Sequence, residues 1–121
     1  MVNAYANVYN SLNQFYMAGL MAAPMVAIEL LVMGAMYKNK RLNAALIILS
    51  LVALSMFFMC IRRQTAISDN QFLRSMIPHH AGAILMCEEA NIEKAQIREL
   101  CRGIIASQQS EIEQMKRWLE E

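Results

Sequence analysis

Charge is scarce in the first half of this 121-residue chain: residues 1–61 hold only Glu29, Lys38, Lys40 and Arg41, while residues 62–121 carry the other eight basic and nine acidic residues. With a net charge of +1 and no concentrated basic patch, the composition excludes a nucleic-acid partner. Histidine is scarcer still, with His79 and His80 the only two. Three cysteines make neither a CxxC pair nor a zinc-ribbon spacing. There is no phosphate loop, no Ser/His/Asp set and no pair of inward carboxylates. Two histidines without an acidic partner make a poor hydrolytic site, so no enzymatic activity is expected. No internal repeat or low-complexity segment is visible.

What is present is apolar, at 57% of residues. Residues 15–37 contain one charge, Glu29, and as a helix reach roughly 34 Å, enough for a bilayer core of about 30 Å. Residues 43–61 contain none and reach roughly 28 Å. The two read as transmembrane helices joined by the basic hairpin "KNKRL", residues 38–42. A cleaved signal peptide fits poorly, because no basic residue precedes a run that is itself too long. The basic loop, set against fourteen uncharged leading residues, places the loop in the cytoplasm and both termini outside. The expected location is a cell inner membrane, multi-pass, with a periplasmic C-terminal domain. Arg62 and Arg63 pull the other way.

Gly19, Ala23 and Ala27 recur every four residues and form a smooth stripe for close helix approach in lipid. Met17, Met21 and Met25 form a second stripe, read mainly as apolar filling. Pro24 is expected to kink this span. Glu29, placed at depth, would cost roughly 2.5–3.5 kcal/mol unless partnered or protonated. It reads either as an ion or proton site or as a neutral carboxyl in an oligomer interface. Cys60 reads as a small core or lipid-facing residue.

Residues 1–63 are thus a transmembrane hairpin and residues 64–121 a second helical hairpin. Ser68 and Gln71 have capping-box spacing, which predicts a helix start near Asp69. Phe72, Met76, Ala83 and Cys87 share one face. Asn91–Ile92 breaks the pattern, and a second helix follows over residues 93–119. Its stripe is Ile97, Leu100, Cys101, Ile104, Ile112, Met115 and Leu119, with Glu113 and Arg117 as a surface pair. The fold class is all-α: two transmembrane helices followed by an extramembrane helical hairpin, a four-helix bundle being completed by oligomerisation.

The chemistry concentrates in "RSMIPHHAGAILMC", residues 74–87. Pro78 cannot bond to the carbonyl of Arg74, and neighbouring side chains on a helix diverge by about 100°, so His79 and His80 need not serve one site. Met76 can meet His79 at i+3 or His80 at i+4. Met86 lies seven residues after His79. Thioether with imidazole suits Cu(I), and Ag(I) should follow as a surrogate; zinc prefers other donors. Against this stands an ordinary structural role for the histidines. Folding about Asn91 puts Gln108 opposite Met76, where it either orients a histidine or is an exposed edge amide. Met115, roughly 12 Å beyond that level, is expected to miss the same ion within one hairpin. The same fold brings Cys87 closer to Ile97 than to Cys101, one turn off, so a disulfide, two buried thiols and soft-metal ligation all remain open.

"FLRSMIPHHAGAILM" followed by "LCRGIIASQQSEIEQMKRWL" resembles the domain of unknown function 305 family, whose helical, ferritin-like domains carry an M-x-x-H-H motif and a downstream I-I-x-x-Q-x-x-E-I-x-x-M-x-x-W-L-like segment. The resemblance covers residues 68–120. It implies periplasmic copper or silver binding and metal tolerance, with Met76, His79, His80 and Met86 as metal residues and Met115 a further candidate.

These readings converge on a membrane-anchored Cu(I)-binding protein that buffers, tolerates or delivers copper. Its expected partners are copper ions, the lipid bilayer and either a second copy or a larger membrane complex. A structural accessory subunit without metal is the alternative, and a small ion channel using Glu29 is a third reading.

Overall fold

The computed structural model describes residues 2–121. Among them are four α-helices, α1 (Leu12–Val32), α2 (Lys40–Arg63), α3 (Asp69–Glu89) and α4 (Ala95–Glu120), a short 3-10 turn at Tyr5–Asn7, and no strand. The all-α expectation holds, with two apolar helices followed by two more polar ones. The chain divides into two units. One holds residues 12–67. The other holds residues 68–121 together with the N-terminal stretch through Ser11.

In the first unit α1 and α2 run antiparallel. The Asn13 amide donates to Gln64 Oε1 (3.2 Å), and the Tyr16 hydroxyl donates to the Thr65 carbonyl (3.0 Å). The Phe15 and Phe57 rings meet edge to face at 5.8 Å. The start of α1 thus lies beside the end of α2, and the chain enters and leaves this hairpin at one end. Ala23 and Ala27 are buried, and a Cβ on Gly19 would overlap the Phe57 ring. The small-residue stripe is therefore the helix–helix contact face. Met17, Met21 and Met25 point outward and are exposed. Both helices are long and apolar enough to cross a membrane. At 1.5 Å per residue they reach roughly 32 and 36 Å.

The helix limits differ from the sequence reading. α1 ends at Val32, not Tyr37, and α2 begins at Lys40, inside the expected loop. The cause is local. Asn39 caps α2, its Oδ1 accepting from the Leu42 amide at 3.1 Å, and the Lys40 ammonium donates to the Gly34 carbonyl. Ending α1 early brings Glu29 to within one turn of the helix end, where its backbone carbonyl accepts from Met33 N (2.8 Å). Glu29 is thus about 4.5 Å along the axis from that end rather than near the middle of the helix.

In the second unit Ile77, Ala81 and Ile84 of α3 meet Ile112 and Met115 of α4, with Leu73, Met76, Ile105 and Leu119 packed around them. The buried α3 face is therefore turned from the expected one, and Phe72 is exposed. The alternation of apolar residues left two overlapping i+4 and i+7 series on α3. The one richer in branched aliphatic side chains is buried. Ser68 precedes α3 as expected, but its side chain makes no capping bond. The Glu113 carboxylate accepts from Gln109 Nε2 (3.3 Å), in place of the surface pair expected with Arg117. Val2 and Tyr9 also pack on this core, and Asn7 is buried, its Oδ1 accepting from Lys116 Nζ at 2.6 Å. The N-terminal stretch is thereby tied to α4.

Cys87 and Cys101 form a disulfide with Cα atoms 5.4 Å apart. This settles the register one turn away from the simple fold about Asn91. Ala90 and Lys94 have extended backbone, so the linker carries the chain past the end of α3. The first turn of α4 returns without a partner on α3, and Ile97 is exposed there.

Ile84 is almost fully buried at the centre of this core. Ile84→Ala should destabilise the α3–α4 unit by roughly 2–4 kcal/mol. Denaturant unfolding of the detergent-solubilised chain, followed by helicity, measures it; a loss below about 1 kcal/mol would contradict the packing described.

Candidate functional site

With Cys87 opposite Cys101, Gln108 stands level with His80 and Ile112 with Met76. The two sequence motifs are thus brought face to face. His80 is only 8% exposed. Its Nδ1 lies 3.0 Å from the Met76 carbonyl, one turn back, and its Nε2 lies 2.8 Å from Glu111 Oε2 across the hairpin. Both neighbours are acceptors. An imidazolium donating from both nitrogens beside a carboxylate satisfies this geometry, as does a neutral ring that donates from Nδ1 and accepts a proton from a Glu111 carboxyl. Either way, each ring nitrogen is committed.

His79 behaves differently, as the 100° step requires. It is exposed, and its ring meets that of His80 edge to face, centroids 6.0 Å apart. No hydrogen bond engages its ring among the described residues. Met76 is half-buried against the core, and Met115 is buried in the same core. Met115 stands about one turn from the level of Met76, closer than the roughly 12 Å expected from sequence, but still roughly 10 Å along the axis from the level of His80. Met86 is 59% exposed and two turns beyond His79. It is not gathered with Met76 and His80.

Glu111 is the residue the sequence reading missed, and the assumption that the histidines lack an acidic partner is corrected by it. A signal was present. Glu111 flanks the apolar stripe beside Ile112, and no Lys or Arg lies three or four residues from it on its own helix. Such a carboxylate looks across the hairpin for its cation. Gln108 moves from the level of Met76 to that of His80 because of the register shift, and its Oε1 is buried with no hydrogen-bond partner among the described residues.

No group of three or more His, Cys, Asp or Glu side chains converges among the described residues. Met76, His79 and His80 lie within about one turn of α3, and thioether with imidazole suits a soft ion in kind. His79 offers an open ring. His80 offers a nitrogen only on leaving Glu111.

A family model, Domain of unknown function (DUF305), matches residues 58–119. The chain belongs to that family. The match runs from the last turns of α2 to the end of α4 and takes in both of the sequence motifs, in α3 and α4. Uncharacterized protein L153 of Acanthamoeba polyphaga mimivirus is 31% identical over 121 residues, covering 98% of this chain and 78% of that protein. That likeness extends beyond the DUF305 segment through the apolar helices. No solved structure matches the chain.

Glu111 is about half exposed, so its pairing with His80 is partly screened by solvent. Glu111→Gln should keep the helices and lower stability by about 1 kcal/mol. Chemical denaturation checks the loss, and imidazole 15N spectra should show His80 changed and His79 little affected. Spectra in which both rings move equally, or neither does, would dissolve the pair.

Proposed function

We propose that this chain is a membrane-anchored binder of soft monovalent metal ions, Cu(I) with Ag(I) as its surrogate, serving copper buffering, tolerance or delivery. The observation that carries the reading is the short stretch of α3 that brings Met76, His79 and His80 within about one turn, with His80 bonded to Glu111 of α4 and His79 left open. The metal, when bound, supplies affinity for thioether and imidazole donors. The chain's residues divide the remaining work. His79 presents an accessible ring. Met76 adds a thioether one turn away. Glu111 holds His80 in one orientation and competes for its Nε2. Met115 lies in the core beside Met76, and Met86 is a solvent-facing donor two turns on.

A structural accessory subunit is the second reading. It is favoured by the commitment of both His80 nitrogens and by the exposed Phe72, Met86 and Trp118, which suit a protein surface as well as solvent. On either reading, α1 and α2 anchor the chain, and the unpaired α3–α4 hairpin joins a second copy or a larger complex to complete a bundle.

Metal content of the detergent-purified protein separates the two readings. A His79→Ala/His80→Ala double variant should stay helical and lose competition against a Cu(I) chelator. Binding should also weaken towards acid, since a protonated imidazole cannot ligate. Unchanged competition by the double variant would reject the site.

The proposed location is an inner membrane with the α3–α4 hairpin outside. Persistence of the Cys87–Cys101 disulfide in an oxidising compartment supports it, as does the entry and exit of the apolar hairpin at one end. A cysteine introduced in the 33–39 turn should resist an impermeant thiol reagent applied to intact cells, whereas one at Glu121 should react once the reagent has crossed any outer membrane. The reverse pattern would put the α3–α4 hairpin in the cytoplasm.

A further inference from the structure

The Cys87–Cys101 disulfide lines an open cleft of about 230 Å³ together with Ala90, Ile92, Arg98, Arg102 and Ile105. Both cysteines are only half-buried. The cleft lies at the bend end of the hairpin, while Ile77, Ala81, Ile112 and Met115 form a core further along the same helices. The charged residues lining it are all of one sign, Arg98 and Arg102. Arg102 is partly neutralised by Glu99, at 2.9 Å, whereas Arg98 has no ion-pair partner among the described residues. Arg98 is also three residues before Cys101, hence on the same helix face.

We propose that this cleft is a thiol–disulfide exchange site for small anionic thiols, of which glutathione is the type. The incoming thiolate attacks Cys87 Sγ. A new sulfur–sulfur bond forms to Cys87, the Cys87–Cys101 bond breaks, and Cys101 leaves as a thiolate. A second thiolate attacks the mixed disulfide and releases Cys87. In sum, two small thiols are oxidised to their disulfide, the protein disulfide is reduced, and the two protons of the small thiols pass to the protein thiols. Cys101 is the better leaving group because Arg98 and Arg102 flank it, and a cationic setting favours the thiolate. The same cations attract the carboxylates of the incoming thiol. The apolar wall of Ala90, Ile92 and Ile105 accepts its uncharged part. Exchange would untie the bend and leave the packed core at the other end of the hairpin in place.

The test uses the full chain in detergent, with glutathione and the neutral thiol 2-mercaptoethanol as probes. Alkylation and mass spectrometry of the 75–121 region read the fraction reduced over time. Arg98→Gln should slow reduction by glutathione about tenfold, and Arg102→Gln should slow it less. Reduction by 2-mercaptoethanol should change by less than about twofold, since only the leaving-group contribution remains. High salt should abolish the difference between the two thiols. Helicity should be retained after reduction. A disulfide inert to glutathione, or equal slowing of both thiols in Arg98→Gln, would overturn the proposal. The outcome is independent of whether His79 and His80 bind metal.

Discussion

The register between α3 and α4 is the constraint on which the rest of the second unit depends. Apolar matching of Ile77, Ala81 and Ile84 with Ile112 and Met115 and the covalent tie between Cys87 and Cys101 select the same alignment. A slip of one turn would put Gln108 opposite Met76 and carry Glu111 away from His80. It would also set the cysteines beyond bridging distance, since a disulfide tolerates Cα separations only up to about 7 Å. Two unrelated forces, burial and a bond, thus position one polar contact that neither of them makes.

Much of this was legible in the sequence, and the misses share a cause. Periodicity showed two apolar helices and two amphipathic ones, the break near Asn91, and the small-residue stripe Gly19–Ala23–Ala27 that α2 covers. Family membership was legible from the two motifs. Helix ends were less so. Tyr37 is as apolar as its neighbours, and only the capping by Asn39 and the Lys40 contact to Gly34 decide where the turn lies. The face of α3 was ambiguous because Phe72 and Met76 compete with Leu73 and Ile77 for the inside, and a single helix cannot say which its partner will choose. Glu111 depended on the register, which the sequence states only through the spacing of two cysteines across a linker of unknown path.

The early end of α1 changes how Glu29 should be understood. A carboxylate in the middle of a bilayer needs a partner, which is what made a channel or an oligomer contact attractive. In the structure Glu29 lies one turn from the end of α1, next to the turn that leads into α2, rather than at the middle of the helix. The N-terminal stretch has a related logic. Ten residues that carry no charge would add little in water, yet Asn7 is buried and bonded to both Asn3 and Lys116. Tying the segment before α1 to α4 shortens the free chain on that side of the hairpin.

His80 and His79 illustrate how one dipeptide can separate stability from availability. The inner ring is held by a backbone carbonyl and a carboxylate, and a buried imidazole needs such partners to be tolerated. The outer ring is left without them. A site made of both would therefore bind in two unequal steps, because recruiting His80 Nε2 requires breaking its hydrogen bond to Glu111 while recruiting His79 breaks none among the described residues. The carboxylate also biases what the site can prefer. Glu111 is a hard oxygen donor on the His80 ring, so on the proposed reading an ion that favours oxygen would retain it and one that favours sulfur would displace it. On the proposed metal-binding reading, Glu111→Gln would therefore change the order of metal preference more than the affinity of His79.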